Sequence, residues 1–136
     1  MRYLLDTDTV SELVRPAPNR TFLRRLSVIA PDDQGTSSIT VGELVYGAYR
    51  RGGDVQALLE RIDDLAIRHL QVMPFDGMAA RIYGEIRVTL ELSGSVIGDA
   101  DTRIAAIALA NDLIVVTGNT RHFERIPGLD VENWLV

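Results

Sequence analysis

Residues 101–119, DTRIAAIALANDLIVVTGN, contain a helix and a strand in immediate succession. The first half is rich in Ile and Ala, which favours a helix that opens at Asp101 and ends near Asn111-Asp112. The run from Leu113 to Val116 is apolar and mostly β-branched, which predicts a strand buried on both faces. Gly118-Asn119 is typical of a turn. A helix that leads directly into such a strand indicates an α/β domain with a parallel sheet.

The rest of the chain shows the same alternation of strands and helices. Apolar runs bounded by turn residues predict four further strands: 2–5, 35–39, 70–73 and an edge strand from Val131. Helical spacing of apolar residues predicts five further helices: 10–14, one capped by Asn19, 41–51, 54–66 and one running from Asp76 to the Ser93-Gly94-Ser95 turn. No linker, repeat or low-complexity segment interrupts this pattern. We therefore expect a single domain over residues 1–136, a three-layer α/β fold with helices on both faces of a mainly parallel sheet.

The composition excludes several classes of protein. With 46% hydrophobic and 24% charged residues, the 136-residue chain lies in the ordinary globular range. No apolar run approaches the roughly 20 residues of a membrane span, and Asp6 interrupts the only stretch that a signal peptide could use. The absence of Cys excludes disulfides, thiolate metal sites and Cys nucleophiles. A cytoplasmic protein without membrane association is expected.

The charge inventory is unusual because all 14 basic residues are Arg. Without Lys, the chain cannot form a Schiff base or supply the phosphate-binding Lys of a P-loop. The net charge of −5 disfavours broad electrostatic adhesion to nucleic acid. A nucleic-acid enzyme of this charge would depend on local Arg patches, bound cations or the basic surface of a partner.

Seven polar residues are predicted to meet at one edge of the sheet, beyond the carboxyl ends of its strands. They are Asp6 and Asp8 after the first strand, Glu43 after the second, Asp99 and Asp101 at the start of the Ala-rich helix, and Thr117 and Asn119 after the strand at 113–116. Carboxylates gathered in this way raise each other's pKa unless a cation lies between them. Oxygen ligands, with no Cys and only two His in the chain, favour Mg²⁺ or Mn²⁺ over Zn²⁺. Such an ion can activate water for hydrolysis of a phosphodiester.

Some of these residues also have simpler structural interpretations. Thr40-Val41-Gly42-Glu43 matches a capping box, in which Glu43 would accept from the Thr40 N–H, and the sequence by itself favours that role over catalysis. Asp99 or Asp101 could cap a helix, which would explain one of the two but not both. Asn119 fits a turn as well as it fits a ligand. Asp6 is harder to explain structurally, because Asp has a low preference for the end of a buried apolar strand.

Other residues able to bind metal or RNA are predicted to have structural roles. His69 and His122 are too isolated in the sequence to form a metal pair, so both are expected on the surface or in packing. Tyr46 and Tyr49 lie on the helix that carries Glu43, where core packing is favoured over stacking on bases.

Taken in order, these segments resemble the PIN-domain family, and within it the VapC-like toxins of bacterial toxin–antitoxin pairs. YLLDTDTVSEL at 3–13 is similar to the family's opening, a strand ending in Asp-Thr followed by a short helix. SITVGEL at 38–44 and DTRIAA at 101–106 are similar to its second and third acidic motifs. VVTGNTRHF at 115–123, PGL at 127–129 and ENWL at 132–135 are similar to its C-terminal end. The resemblance covers essentially the whole chain.

The resemblance implies a PIN fold, Mg²⁺- or Mn²⁺-dependent cleavage of RNA, and inhibition by a cognate VapB-like antitoxin whose tail covers the site. Asp6 and Asp101 would be direct metal ligands, and Glu43 would hold or activate metal-bound water. The fourth family position, acidic in some members, is Asn119 here, which leaves a second metal ion open. Three residues would support the ligands from outside: Asp8, Asp99 and Thr117. Because relatives commonly dimerise, a homodimer is expected.

Two alternatives remain open at the level of the sequence. DTDTV at 6–10 after an apolar strand also resembles the first motif of haloacid-dehalogenase-type phosphohydrolases, in which the first Asp, here Asp6, attacks phosphorus. Those enzymes usually hold phosphate with a Lys, which this chain lacks, and their last acidic motif follows a strand, whereas Asp99 and Asp101 precede a helix. The second alternative is a non-catalytic PIN domain that only binds a partner. It is less favoured because all three acidic positions are retained.

Overall fold

The computed structural model describes all residues 1–136 and contains a sheet of five parallel strands. The strands are β1 (Tyr3–Leu5), β2 (Gln34–Ser37), β3 (Gln71–Met73), β4 (Ile114–Val116) and β5 (Val131–Glu132). Their spatial order is β3-β2-β1-β4-β5, and Leu4 pairs with Gly35 on one side and Val115 on the other. The predicted α/β fold is confirmed, with a sheet that is wholly parallel. Since β1 is central, the residues that follow β1, β2 and β4 are gathered in the middle of one edge.

Seven α-helices connect the strands and cover the sheet. They are α1 (Thr7–Val14), α2 (Arg20–Ser27), α3 (Ser38–Arg51), α4 (Val55–Ile62), α5 (Gly77–Leu92), α6 (Asp99–Ala110) and α7 (Thr120–Phe123). Asn19 caps α2 and Asp76 caps α5, as the sequence predicted. The helix predicted at 54–66 is instead α4 followed by a π-helical turn at Asp63–Ile67. None of the seven helices combines the length and the apolar content that a membrane crossing requires.

The core is divided by the sheet into two apolar layers. Successive side chains of a strand point to opposite faces, so Leu4 lies in one layer and Tyr3 and Leu5 lie in the other. The Leu4 layer is closed by residues of α5, α6 and α7, and the Tyr3 layer by residues of α1 to α4 and by Trp134. Helices therefore flank both faces, which gives the predicted three layers.

The predicted capping box is wrong because α3 begins three residues earlier than expected. Ser37 is the N-cap of α3, and its hydroxyl accepts from the Thr40 N–H at 3.0 Å. Thr40 therefore lies inside the helix, and Glu43 makes no bond to the Thr40 N–H. The suggested caps of α6 are wrong for a similar reason: the helix begins at Asp99 with Gly98 before it, so neither Asp99 nor Asp101 is the cap.

The prediction that Tyr46 and Tyr49 pack in the core is wrong. Their exposed fractions are 62% and 64%. The buried side of α3 is defined by Leu44 and Ala48, which are four residues apart and share one face of the helix. The two tyrosines fall on the opposite side and project from the surface of the domain.

Candidate active site

Asp6 is buried at the carboxyl end of the central strand, with 2% of its surface exposed. Its N–H donates to the Val116 carbonyl at 3.0 Å, and its Oδ1 accepts from the Thr9 N–H at 2.9 Å, so Asp6 is the N-cap of α1. Burial raises the pKa of Asp6 from 3.8 to about 6. Hydrogen bonds involving Thr117 and Thr9 oppose this rise in pKa, and the charge of Asp8 adds to it. The structure thus fixes one carboxyl group firmly, in a place that disfavours its charge.

Glu43 reaches the same edge of the sheet from the start of α3. Its Oε1 accepts a short hydrogen bond from the Thr7 hydroxyl, and that hydroxyl also lies 3.2 Å from the Thr40 hydroxyl. Thr7 therefore joins the first turn of α1 to the first turns of α3. Unlike Asp6, Glu43 is exposed, so its carboxylate can meet a ligand that arrives from solvent.

Asp101 approaches from the first turn of α6, and its side chain is 30% exposed. Its Oδ2 lies 3.6 Å from Nδ1 of His122, and the same nitrogen lies 2.8 Å from the Asn119 side-chain amide. Burial raises the pKa of Asp101, the contact with His122 lowers it, and the charges of Glu43 and Asp8 raise it further. Acidic groups of α1 and α3 therefore lie close enough to Asp101 on α6 to disfavour its charged form.

In the side-chain conformations of the structure, the three predicted ligands do not form a complete metal-binding site. No group of three or more His, Asp and Glu is arranged to hold a metal ion. Asp6 caps α1, Glu43 is bonded to Thr7, and Asp101 is paired with His122. Glu43 and Asp101 are at least partly exposed, so their carboxylates can be reached from solvent.

The chemistry of the site nevertheless fits a hard divalent cation. The available donors are carboxylate, hydroxyl and amide oxygens, which Mg²⁺ and Mn²⁺ accept as ligands. The pKa values of Asp6 and Asp101 are raised chiefly by burial, with additions from neighbouring acids. A cation between these groups would reverse that effect by favouring their charged forms.

The residues predicted to support the ligands are divided between two places. Thr117 is fully buried beside Asp6, and its hydroxyl accepts from the Asn119 N–H at 2.9 Å. Asp8 is exposed on α1 and acts on both Asp6 and Asp101 through its charge. Asp99 points elsewhere, because its carboxylate binds Tyr83 on α5 and Arg103 on α6.

Two residues of the site were not identified from the sequence. His122, expected in a surface or packing role, contacts both Asp101 and Asn119. Residues three apart on a helix are neighbours, so a helix predicted directly after the Gly118-Asn119 turn would have indicated that His122 lies beside Asn119. Thr7, which orients Glu43, carried no signal beyond its position after Asp6.

Comparison with known proteins gives matches along nearly the whole chain. A family model described as PIN domain matches residues 3–129. The chain is 34% identical over 134 residues to the tRNA(fMet)-specific endonuclease VapC of Salmonella typhimurium, with 98% of each protein covered. It is 36% identical over 124 residues to toxin FitB of Neisseria gonorrhoeae, covering 88% of this chain and 89% of that protein. The DNA-bound VapBC structure of Salmonella typhimurium superposes with a TM-score of 0.90, at 34% identity and 98% coverage of both chains.

Proposed function

The chain belongs to the PIN-domain family, and from that premise we propose that it is a toxin ribonuclease whose site is formed by Asp6, Glu43 and Asp101. Its similarity to VapC endonucleases and to a VapBC complex supports RNA as the substrate and a VapB-like antitoxin as the partner. The structural observation that carries the assignment of the site is that Asp6, Glu43 and Asp101 stand at the carboxyl edge of the sheet, where Asp6 is held by Thr9, Glu43 by Thr7, and Asp101 lies beside His122.

From membership of the PIN-domain family we also propose the extent of the domain, the cellular location, the oligomeric state and the metal. Residues 1–136 form one catalytic domain, the protein acts in the cytoplasm where its RNA substrate is found, and two copies form a homodimer. PIN-domain ribonucleases generally require a divalent metal, and the oxygen donors of this site favour Mg²⁺ or Mn²⁺ as that metal.

The proposed roles of the three acids follow from their different environments. A bound divalent cation would lower the pKa of a water molecule and offset the charge that develops on the phosphate. Asp6, held by Thr9 and next to Thr117, would be the fixed ligand, and Asp101 would be the second. Glu43 is exposed and oriented by Thr7, so it can accept a proton from the attacking water.

Substrate binding should depend on the cation as well. The net charge is −5, and the site itself is a group of carboxylates, so an RNA phosphate is repelled until positive charge is supplied. His122 and Asn119 border Asp101 and offer hydrogen-bond donors to a phosphate oxygen.

The dehalogenase-type alternative lacks the group with which such enzymes usually hold phosphate, because the chain contains no Lys. The PIN-domain match over residues 3–129 also assigns the DTDTV segment to a different family.

The test compares RNA cleavage by the parent and by the Asp6→Asn and Asp101→Asn variants in Mg²⁺, Mn²⁺ and EDTA. Each variant should lose activity by more than about 100-fold, since even the loss of a residue behind a metal ligand costs about 10–100-fold. Asp32→Asn is the matched control, because Asp32 is exposed and precedes β2 at the opposite edge of the sheet.

Circular dichroism should show that both variants keep the fold. Sequencing the 5′ ends of RNA fragments from cells that express the parent or Asp101→Asn would identify the target. Cleavage by either variant at the parent rate contradicts the assignment of the site. A parent that binds a VapB-like protein but cuts no RNA with either metal supports a non-catalytic PIN domain instead.

A further inference from the structure

Asp99 joins the start of α6 to α5 through a group of charged and aromatic side chains. Its Oδ1 accepts from the Tyr83 hydroxyl, and its Oδ2 lies 3.0 Å from Nη2 of Arg103. Arg87 donates to the Tyr83 hydroxyl at 3.0 Å. The Arg103 guanidinium lies 5.3 Å from the centre of the Tyr83 ring and 5.5 Å from that of Phe75, and the two rings meet edge to face. We call these five residues the α5–α6 clamp.

The position of Arg103 in the clamp leaves one of its hydrogen-bond donors unpaired. The Arg103 Nε is buried and has no hydrogen-bond partner. A buried donor without an acceptor is unfavourable, so the contacts of the guanidinium with Asp99 and the two rings must outweigh this loss. The guanidinium is directed toward Asp99 and the two rings, while 40% of the Arg103 side chain stays exposed.

Asp99 and Asp101 lie on different sides of the same helical turn. Two residues correspond to about 200° around a helix of 3.6 residues per turn. Asp99 faces α5, whereas Asp101 faces His122 and is influenced by Glu43 and Asp8. The position of this turn therefore sets where the Asp101 carboxylate can reach.

The first turn of α6 is held by Thr102, which is buried and whose hydroxyl donates to the Gly98 carbonyl at 2.9 Å, and on the α5 side by the clamp. Gly98 precedes the helix and supplies no side-chain cap. The clamp acts on the side of the turn opposite Asp101 and ties it to α5.

We propose that Asp99 is a positioning residue, which places Asp101 for cation binding by tying the first turn of α6 to Tyr83 and Arg103. This inference rests on the proposed function, because it requires Asp101 to be a ligand. In this role Asp99 contacts neither the cation nor the RNA. Releasing the clamp should weaken cation binding while the fold remains.

The decisive variant is Tyr83→Phe, because it removes one hydroxyl of the clamp and changes no charge at neutral pH. Mn²⁺ binding to the parent and to each variant is measured by calorimetry without RNA, and thermal unfolding is measured in EDTA. Tyr83→Phe and Asp99→Asn should each weaken Mn²⁺ binding about tenfold, the lower end for residues that orient metal ligands. Asp99→Glu keeps the charge and both acceptors, so it should recover most of the affinity.

Two control variants separate positioning from general effects. Asp64→Asn breaks the Asp64–Arg68 pair, which has the same i,i+4 spacing as Asp99–Arg103 but lies in the π-helical turn. Tyr49→Phe removes an exposed hydroxyl outside the clamp. Neither control should change Mn²⁺ affinity.

The outcomes distinguish this inference from the proposed function. Parent-like Mn²⁺ affinity in Tyr83→Phe, or a loss of affinity matched by unfolding in EDTA at the assay temperature, overturns the positioning role. Unchanged affinity in Asp101→Asn overturns the metal site itself, and the positioning role with it. Weaker binding in Tyr83→Phe with an intact fold, together with recovery in Asp99→Glu, supports the role.

Discussion

At the scale of single residues, Asp6 combines a helix cap with a buried carboxyl group. The capping N–H of Thr9 favours the charged form, and burial favours the neutral form. Burial dominates, so the folded protein has a pKa of about 6 at Asp6 against 3.8 for an ordinary Asp. Between these two values the folded state binds more protons than the unfolded state does. The stability of the metal-free protein should therefore decrease as the pH rises through this window.

We expect Asp6→Asn to be more stable than the parent in EDTA at pH 7.5, because Asn also caps helices and carries no charge. The difference in the free energy of unfolding should be at most about 3 kcal/mol, since one pKa unit corresponds to about 1.4 kcal/mol. It should shrink as the pH is lowered toward 4. Urea denaturation at several pH values checks this, with Asp32→Asn as the control for loss of a negative charge. A stability difference that does not vary with pH would contradict the buried-charge explanation.

At the scale of elements, the side of α3 next to Glu43 is exposed and packs against no other part of the domain. Gly42 and Gly47 lie inside this helix, and apart from the adjacent residues and the helix's own backbone nothing is within 4 Å of the place where a Cβ would be at either position. Tyr46 and Tyr49 project from the helix with more than half of their surface exposed. Nothing within the domain therefore requires glycine on this face.

We expect Gly47→Ala to raise the free energy of unfolding by about 1 kcal/mol, because glycine in a helix interior is that much less favourable than alanine. Gly35→Ala is the contrasting change. A Cβ on Gly35 would lie 3.0 Å from the Gln71 carbonyl of the neighbouring strand, so this variant should be destabilised. Thermal and urea unfolding measure both effects. A less stable Gly47→Ala would show that the exposed face of α3 makes contacts in the isolated protein.

The elements also show which features of the fold the sequence could predict. The caps at Asn19 and Asp76 were predictable because a cap signal and a helical pattern adjoin in the sequence. The start of α3 was not predictable, because Ser37 and Thr40 are both good N-cap residues. Ser37 could cap the N–H of Thr40, and Thr40 could form a capping box with Glu43. The pairing of β2 with β3, which extends to Ser37 and Met73, decides between them, and that pairing is tertiary information.

The same limit applies to the candidate site. Asp6, Glu43 and Asp101 could be selected because each stands beside a strand end or a helix start in a recognisable motif. The contact of His122 with Asp101 depends on how α7 packs beside α6, which no local pattern reports. The turn of Asp99 toward α5 likewise depends on Tyr83, 16 residues earlier in the chain.

At the scale of the whole molecule, Trp134 completes the apolar layer on one side of the sheet. It is fully buried, its ring centre lies 4.9 Å from that of Tyr3, and its Nε1 donates to Glu132 at 3.0 Å. Trp134→Ala should reduce the free energy of unfolding by about 3–5 kcal/mol, the usual cost of truncating a large aromatic core residue. Leu92→Ala, at a residue that is 84% exposed, should change it by no more than about 0.5 kcal/mol.

Urea denaturation measures both of these variants. Because Trp134 lies outside the acidic site, Trp134→Ala should bind Mn²⁺ like the parent at temperatures where it remains folded. Weaker binding by the folded variant would show that this layer of the core helps to shape the site.

The central position of β1 has a consequence for how the protein is made. Tyr3 pairs with Ile114, and the Asp6 N–H bonds to Val116, so β1 can pair with β2 early but waits for β4, more than 100 residues later. At about 5–20 residues per second of synthesis, this delay is roughly 5–20 s. Until β4 has emerged, Asp6 has neither its backbone partner Val116 nor its neighbour Thr117. The proposed site therefore cannot form on a nascent chain until the last third of the sequence has been synthesised.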